Sequence, residues 1–296
     1  MTLFSIMKYF LIFLFYAFLG WILESLYVST VEAVKEKRRW KFINRGFLTG
    51  PVTPIYGVCG MIMILALVPV RDSYWKTILL GVLLCDGVEY FTSWIMEKLF
   101  HARWWDYTGK PGNINGRIDL KHSLIWAGFS VFFTKIIWPV TTFLFAGLET
   151  RIGWNGIFGI FTVTLVLFAV DLYRTVVASI SITKLQAGVE KVRTSIKEFD
   201  PKEALLDSNM YQSAQASNAA AKESVDRVRE SIRLSSSWRR RHIKQIVKTF
   251  PALGDYMIDH LKEIDDLPAP DELHDALFLL KMDLGGMFQI GRYEMY

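Results

Sequence analysis

The chain has 296 residues, 52% of them hydrophobic and 15% aromatic, with 34 Lys and Arg against 29 Asp and Glu. So large an apolar share excludes an ordinary water-soluble globule and points to a membrane class. The two cysteines, Cys59 and Cys85, both lie in apolar runs, which argues against a disulfide framework and reads as two small buried hydrophobes.

The apolar residues are concentrated in 1–180, and 181–296 is charged and amphipathic. A helix that crosses a bilayer needs about twenty mainly apolar residues. Five segments meet that need: 8–28, 54–70, 76–100, 122–147 and 154–178. The sequence therefore predicts an all-α polytopic membrane protein. Its transmembrane domain is expected over 1–180, and a helical, coiled-coil-like cytosolic region over 181–296. The first run is long, contains Glu24 and lacks a small-residue cleavage pattern, so it reads as a span rather than a signal peptide. Pro54 suits the first turn of the second span. Pro139 lies inside the fourth and is expected to kink it or break its hydrogen-bond ladder locally.

The connections alternate in charge. The first holds Lys35, Lys37, Arg38, Arg39, Lys41 and Arg45, and the third holds Arg103, Lys110, Arg117 and Lys121. The second and fourth are nearly without excess positive charge, and the segment after the fifth span is basic. Lys and Arg mark cytosolic loops. The pattern predicts a multi-pass plasma-membrane protein with its N-terminus outside and its C-terminus in the cytoplasm.

Part of this chain is written twice. "FLGWILESLY" at 18–27 matches "FTSWIMEKLF" at 91–100, "RRWKF" at 38–42 matches "RWWDY" at 103–107, and "INRGFL" at 43–48 matches "INGRIDL" at 114–120. Tyr56-Gly57 and Trp126-Ala127-Gly128 follow at the start of the next helix in each copy. The repeated unit is helix, basic-aromatic loop, helix. Two copies that both start outside would be parallel repeats.

Ionisable side chains within spans are costly and tend to face the bundle interior. Glu24 lies on the first span, Asp86, Glu89 and Glu97 on the third, Lys135 on the fourth, and Asp171 and Arg174 on the fifth. Asp86 and Glu89 are three apart and Glu89 and Glu97 eight apart, so one stripe of the third helix is acidic. Its candidate partners are Lys135, Arg45, Arg103 and Arg117. Glu24, Asp86 and Glu89 are read as ligand-binding. Glu97, Asp171 and Arg174 are read as interfacial or structural. Lys135 is read as half of a structural ion pair, with Asp86, at similar depth, as a candidate counter-ion.

The loop "HARWWDYTGKPGNINGRIDLKHS" combines Arg103, Trp104, Trp105, Asp106, Tyr107, Asn115 and Arg117. Aromatic residues favour the headgroup layer, so an interfacial belt is one reading. The same set also supplies stacking faces, a carboxylate, amides and forked guanidiniums that suit a phosphate or polar headgroup. Asn44 and Arg45 hold the equivalent place in the glycine-rich "NRGFLTGPVTPIYG", which can fold back into a cavity. His122 is placed to meet Asp119. No Walker A loop, H-E-x-x-H, G-x-S-x-G or C-x-x-C appears, and no metal or cofactor is expected.

The order LGWILE, NRGFLTGPVTPIYG, VEYFTSWIMEKLF, RWWDY, NINGRI over most of residues 8–150 resembles the bacterial ABC-transporter permease family of type IV, the CmpB-like membrane proteins. The resemblance implies transport and, through the family's name, an ATPase subunit as partner. No nucleotide-binding motif is present in the chain itself.

In the tail, Ile182, Leu185, Val189, Val192 and Ile196 step by three and four, a narrow seam for pairing helices. Asp200-Pro201-Lys202-Glu203 reads as a helix start. "SSWRRRHIKQIVKTFPAL" carries Trp238, Ile243, Ile246, Val247 and Phe250 beside a basic cluster. It suits either the anionic inner leaflet or the solvated face of a small bundle. Asp271 is placed to cap a last helix with Leu273, Leu277 and Leu280 on one face. Nucleic acid is not an expected partner; the bilayer and a homo-oligomer through the C-terminal helices are.

Taken together, these features predict a permease-like protein with a cytosol-facing polar cavity for a charged or amphipathic small molecule. The alternatives are a membrane-embedded enzyme acting on a lipid or isoprenoid headgroup, and a non-catalytic scaffold.

Overall fold

A computed structural model describes residues 2–35, 37, 39–100, 103, 105–197, 208–249, 275–280, 282 and 283. Its elements in chain order are α1 (Leu3–Lys35), α2 (Pro54–Leu67) ending in a 3₁₀ turn (Val68–Val70), α3 (Tyr74–Phe100), α4 (Leu120–Phe132), a π-helical turn (Phe133–Ile137), α5 (Trp138–Lys197), α6 (Ser208–Arg233) and α7 (Ser237–Thr249). Residues 275–280 are also helical. Among the described residues the only β pairing is an isolated bridge between Ile114 and Ile118. The chain divides into two compact units, 1–99 with 105–175, and 100–104 with 176–296.

Three apolar stretches in the first unit or beginning there are long enough to cross a membrane, Leu3–Lys35, Tyr74–Leu99 and Leu120–Lys191, and Pro54–Val70 is a shorter apolar helix. Their outward faces are greasy: Trp75 is 83% exposed, Phe143 78% and Leu65 72%. Helices that bury little of their apolar surface within the protein need lipid around them. This is a membrane protein.

The 72 residues of Leu120–Lys191 would form roughly 110 Å of continuous helix, more than three times the hydrocarbon thickness. They are not one rod. Gly153 breaks the helical path at φ 59°, ψ −166°. Before it, α5 runs antiparallel to α1: Tyr16 meets Thr141, Phe15 meets Phe145 and Lys8 meets Glu149. After it the sense reverses: Phe4 meets Trp154, Phe10 meets Phe161 and Phe13 meets Phe168. The chain doubles back at Gly153, in the interval left between 122–147 and 154–178.

That turn makes a clean prediction. Its dihedrals lie in a region essentially reserved for glycine, and a β-carbon there would meet no atom within 4 Å. Gly153→Ala should therefore cost about 1–3 kcal/mol through backbone strain alone. Gly147→Ala, in helical backbone with equally open surroundings, should be neutral or slightly stabilising. Thermal unfolding of both variants in micelles is the check.

Pro139 acts as expected, and its effect is specific. It has no N–H for the carbonyl of Lys135, so the ladder slips by one residue. The Trp138 amide donates to Phe133 O, five residues back, and a π turn results.

α2 and α4 each pack against the helix before them. Gly20 sits under Tyr56, and Gly57 and Gly60 sit under Phe13 and Tyr16. On the other pair, Gly81 sits against Ser130, Asp86 meets Ser123 and Tyr74 meets Lys135, all in one antiparallel register. Ile12, Tyr16, Cys59, Met63, Ile64, Leu67, Cys85 and Phe133 form the shared core.

In the second unit Ile182, Leu185 and Val189 are buried, as are Val225, Val228 and Ile232 of α6 and Ile243, Ile246 and Val247 of α7. The apolar stripe of the basic α7 is thus buried rather than open to solvent. Leu277 and Leu280 are buried as well. Asp200–Glu203, Phe250, Asp271, Leu273 and the side chains of Val192 and Ile196 lie outside the described residues.

Candidate functional site

The first loop is tied back onto α1 by short polar side chains. Ser29 Oγ accepts the Ile43 amide at 2.8 Å, and Ser25 Oγ accepts the Arg45 amide at 3.1 Å. Asn44 Oδ1 takes the Trp21 indole N–H at 2.7 Å and the Gly46 amide at 2.8 Å. This folding delivers Arg45 Nε to 3.5 Å from Glu24 Oε1, with both side chains mostly buried. Tyr56, from the first turn of α2, hydrogen-bonds the same glutamate. Farther along, the amides of Thr49 and Gly50 donate to Asp171 at 3.2 and 2.8 Å, which pins the glycine-rich segment inward.

The second loop is a compact turn. Gly109, Gly112, Gly116 and Asn115 all have positive φ. The Tyr107 amide donates to Gly116 O at 2.7 Å, and Trp105 Nε1 donates to Arg117 O at 3.0 Å. Asp106 accepts the amide and hydroxyl of Thr108, so it organises the turn. Arg117 reaches Glu97 at 2.5 Å and Ser93 at 3.4 Å, with its guanidinium 5.5 Å from the centre of the Tyr90 ring. Asn115 Nδ2 donates to Tyr90 Oη at 2.9 Å. The carboxylate read as interfacial, Glu97, is thus the ion partner of an arginine read as ligand-binding.

The turn points one side chain at the middle of the bundle. Tyr107 Oη donates to Glu89 Oε1 at 3.2 Å, and Trp126 Nε1 of α4 donates to Oε2, also at 3.2 Å. Glu89 is 8% exposed. One turn away, Ser123 Oγ donates to Asp86 Oδ2 at 2.6 Å, while Asp86 Oδ1 is buried with no hydrogen-bond partner among the described residues. The Tyr56 and Trp126 rings lie 6.3 Å apart and join the two helix pairs. Tyr56 and Tyr107 each feel the charge of both Glu24 and Glu89, and His122 acts on both glutamates.

His122 is held from two sides. Asp119, the N-cap of α4, accepts its amide at 2.9 Å and meets its Nδ1 at 2.5 Å. Its ring stacks on Tyr107 at 4.7 Å. Burial, followed by the nearby Glu89 charge, pushes the Tyr107 phenol far above its ordinary range, so it stays a neutral donor. Burial alone would raise Asp119, but the amide and ring of His122 outweigh it and hold the carboxyl below its usual value.

A carboxyl whose folded value is depressed contributes stability above its unfolded value and loses it as pH falls through the folded one. Asp119→Ala should cost about 0.5–2 kcal/mol at neutral pH by removing the cap. The gap to the unmodified chain should narrow below about pH 4, the ordinary carboxylate range. Unfolding midpoints of both proteins across pH 3–7 test this.

The structure brings Glu24, Arg45, Asp86, Glu89 and Tyr107 into one polar core. Asn44, Trp105, Asp106, Asn115 and Arg117 instead build the loops around it. Arg103 groups with the other unit, and Trp104 lies outside the described residues. Lys135 does not stand beside Asp86. Its ammonium lies 5.2 Å from the centre of the Tyr74 ring, twelve residues and roughly 18 Å along α3 from Asp86. Tyr56, Trp126 and Ser123 were not picked out as site residues. The signal for the first two was their equivalent place after each repeated loop, and for the Asp119–His122 pair it was the capping distance of three.

These helices and loops fall within a known family. A family model with the description "Putative ABC-transporter type IV" matches residues 11–176. The chain belongs to this family. The match spans both helix pairs, both loops and the helix after Gly153, and therefore the whole polar core. No curated protein and no solved structure matches the chain. As a type IV ABC-transporter family member it is a transporter-like membrane protein. Among its described residues no group of three or more His, Cys, Asp or Glu side chains is placed to hold a metal ion.

Proposed function

We propose that the protein is a membrane permease that moves a small positively charged or amphipathic molecule, or couples to a proton, through the core around Glu24, Asp86 and Glu89. The observation that carries this reading is an imbalance of partners. Glu24 has Arg45, but among the described residues Glu89 is hydrogen-bonded by a phenol and an indole and Asp86 by a hydroxyl, with the His122 imidazole nearby and no Lys or Arg paired to either. Carboxylates in a membrane interior that lack a Lys or Arg partner are suited to receive a cation. The two loops would close the cytosolic side over them.

Five spans, N-terminus outside and C-terminus inside, fit the reversal at Gly153 and the alternation of loop charge. A duplicated helix–loop–helix origin is supported by a repeated ion pair: Glu24 with Arg45 and Glu97 with Arg117, each glutamate joined to the arginine of its own loop. The copies have since diverged, because Tyr56 bonds Glu24 whereas Trp126 bonds Glu89. The helical tail would serve as the cytosolic platform for an ATPase subunit or a second copy of the chain.

The first experiment is extraction in native-lipid discs with mass spectrometry of what copurifies, followed by flux of the identified molecule in liposomes. Glu89→Gln should lower flux at least tenfold while the folded fraction is unchanged. Full flux in that variant removes the core from the pathway. Turnover of a copurified lipid without net transport would instead favour the enzyme reading, for which Asp119–His122 beside Tyr107 supplies an oriented imidazole.

A further inference from the structure

The far end of the α3–α4 pair holds a second polar feature that the proposed pathway does not use. A cavity of 320 Å³ is lined by Arg71, Thr134, Lys135, Trp138, Pro139 and Thr142. Three separate causes bring these residues together. Arg71 comes from the tight turn between α2 and α3, just after the 3₁₀ turn. Lys135 is carried round by the π turn that Pro139 imposes. Trp138 and Thr142 follow on the first turns of α5.

The charge in this cavity is one-sided. Neither Arg71 nor Lys135 has a carboxylate within ion-pair distance among the described residues. Asp72, the neighbour of Arg71 in the turn, pairs with neither. Lys135 has the face of Tyr74, which stabilises a cation but leaves its charge uncompensated. The hydroxyls of Thr134 and Thr142 already donate to backbone carbonyls. The indole N–H of Trp138 has no acceptor among the described residues. The donors left over are therefore a guanidinium, an ammonium and an indole, with no acceptor to match them.

We propose that this cavity binds a phosphate-bearing group, with Arg71 and Lys135 as the two charge partners and Trp138 as the wall. A guanidinium fork and an ammonium on the same oxyanion are the usual pair for phosphoryl recognition. The volume is near the lower limit of small-ligand sites, which suits a headgroup or a small phosphorylated solute rather than a large cofactor. Two cations lining one small cavity make it electropositive, which favours an anion. The site is separate from the Glu24/Glu89 core, and it assigns Lys135 to a ligand rather than to Asp86.

The test uses the full chain in neutral maltoside micelles. It is titrated with inorganic phosphate and, separately, with dihexanoylphosphatidylglycerol, and binding is read by native mass spectrometry and by the shift in unfolding temperature. At least one probe should bind, and R71Q/K135Q should weaken it at least tenfold. Arg151→Gln, which removes another exposed cation, should leave it unchanged. Binding of inorganic phosphate assigns the site to soluble phosphorylated molecules, and binding of the lipid alone assigns it to a bilayer headgroup. Should the double variant fail to fold, Lys135→Gln alone, with its exposed side chain, reports the same loss. The proposal is overturned if neither probe binds, or if whichever probe binds does so to the Arg71 and Lys135 variants as it does to the unmodified chain.

Discussion

Replacing Arg45 with methionine is expected to lower the stability of the folded chain by about 3–5 kcal/mol, the range for stripping one partner from a buried ion pair. Glu24 and Arg45 expose only 21% and 17% of their side chains. Methionine keeps most of the apolar stem and removes only the charge, so the loss reports the glutamate left behind. Tyr56 would remain as its single strong donor. A second change separates the cause. Glu24→Gln in the Arg45→Met background removes the stranded charge and should recover more than half of the loss. The Glu97–Arg117 pair is the natural comparison: Glu97 is one-third exposed, so water can solvate it when Arg117 is removed, and the cost should be smaller. Unfolding by dodecyl sulfate in mixed micelles measures all of these. A single-variant cost below about 1 kcal/mol would falsify the buried-pair account.

Gly81→Val is expected to be the most damaging change to the packing of α3 on α4. A β-carbon at Gly81 would fall on the side chain of Ser130, which is itself fully buried. Neither atom can retreat without moving a helix. The cost should reach about 3 kcal/mol, the top of the usual range for overpacking. The same shift would slide Ser123 away from Asp86 and Trp126 away from Glu89, so transport should fall with stability. Ser130→Gly empties the space and should restore much of both. Gly87→Ala, on the same helix with nothing within 4 Å, should be neutral or mildly stabilising. If Gly81→Val folds as well as the unmodified chain, the close crossing of α3 and α4 is wrong.

The helices themselves were legible because apolar runs of membrane length leave few alternatives. α2 begins at the expected Pro54, α3 begins two residues before the expected 76, and the break between the last two apolar runs falls at Gly153. The inward position of Glu24 and Glu89 was legible too, since an ionisable side chain in lipid has to find a partner. What could not be read was which partner. That choice depends on helix register, and register is set by a few close contacts such as Gly81 on Ser130, which carry no charge or pattern to announce them. Lys135 illustrates the cost. Position along the sequence suggested equal depth with Asp86, but the actual register places it beside Tyr74. Arg117 illustrates a second limit: nothing in its loop distinguishes an arginine reserved for ligand from one already used by Glu97. The basic segment of α7 had two readings that differed only in what covers its apolar stripe, and composition does not contain that answer.

The position of α1 has a consequence for biosynthesis. Its hydroxyl at Tyr16 bonds Thr141, 125 residues later, and its Met7 and Leu11 pack on Ile157. α1 leaves the ribosome well before these neighbours do. At about 5–20 residues per second, α1 waits roughly 6–25 seconds with that flank facing lipid or an insertion factor. Until the strand of chain around Gly153 has turned back, the polar Tyr16 and the buried Met7 lack their final surroundings. A product interrupted after α3 would be a stable-looking helix set with one unfinished side, and membrane proteases could recognise it by that side alone.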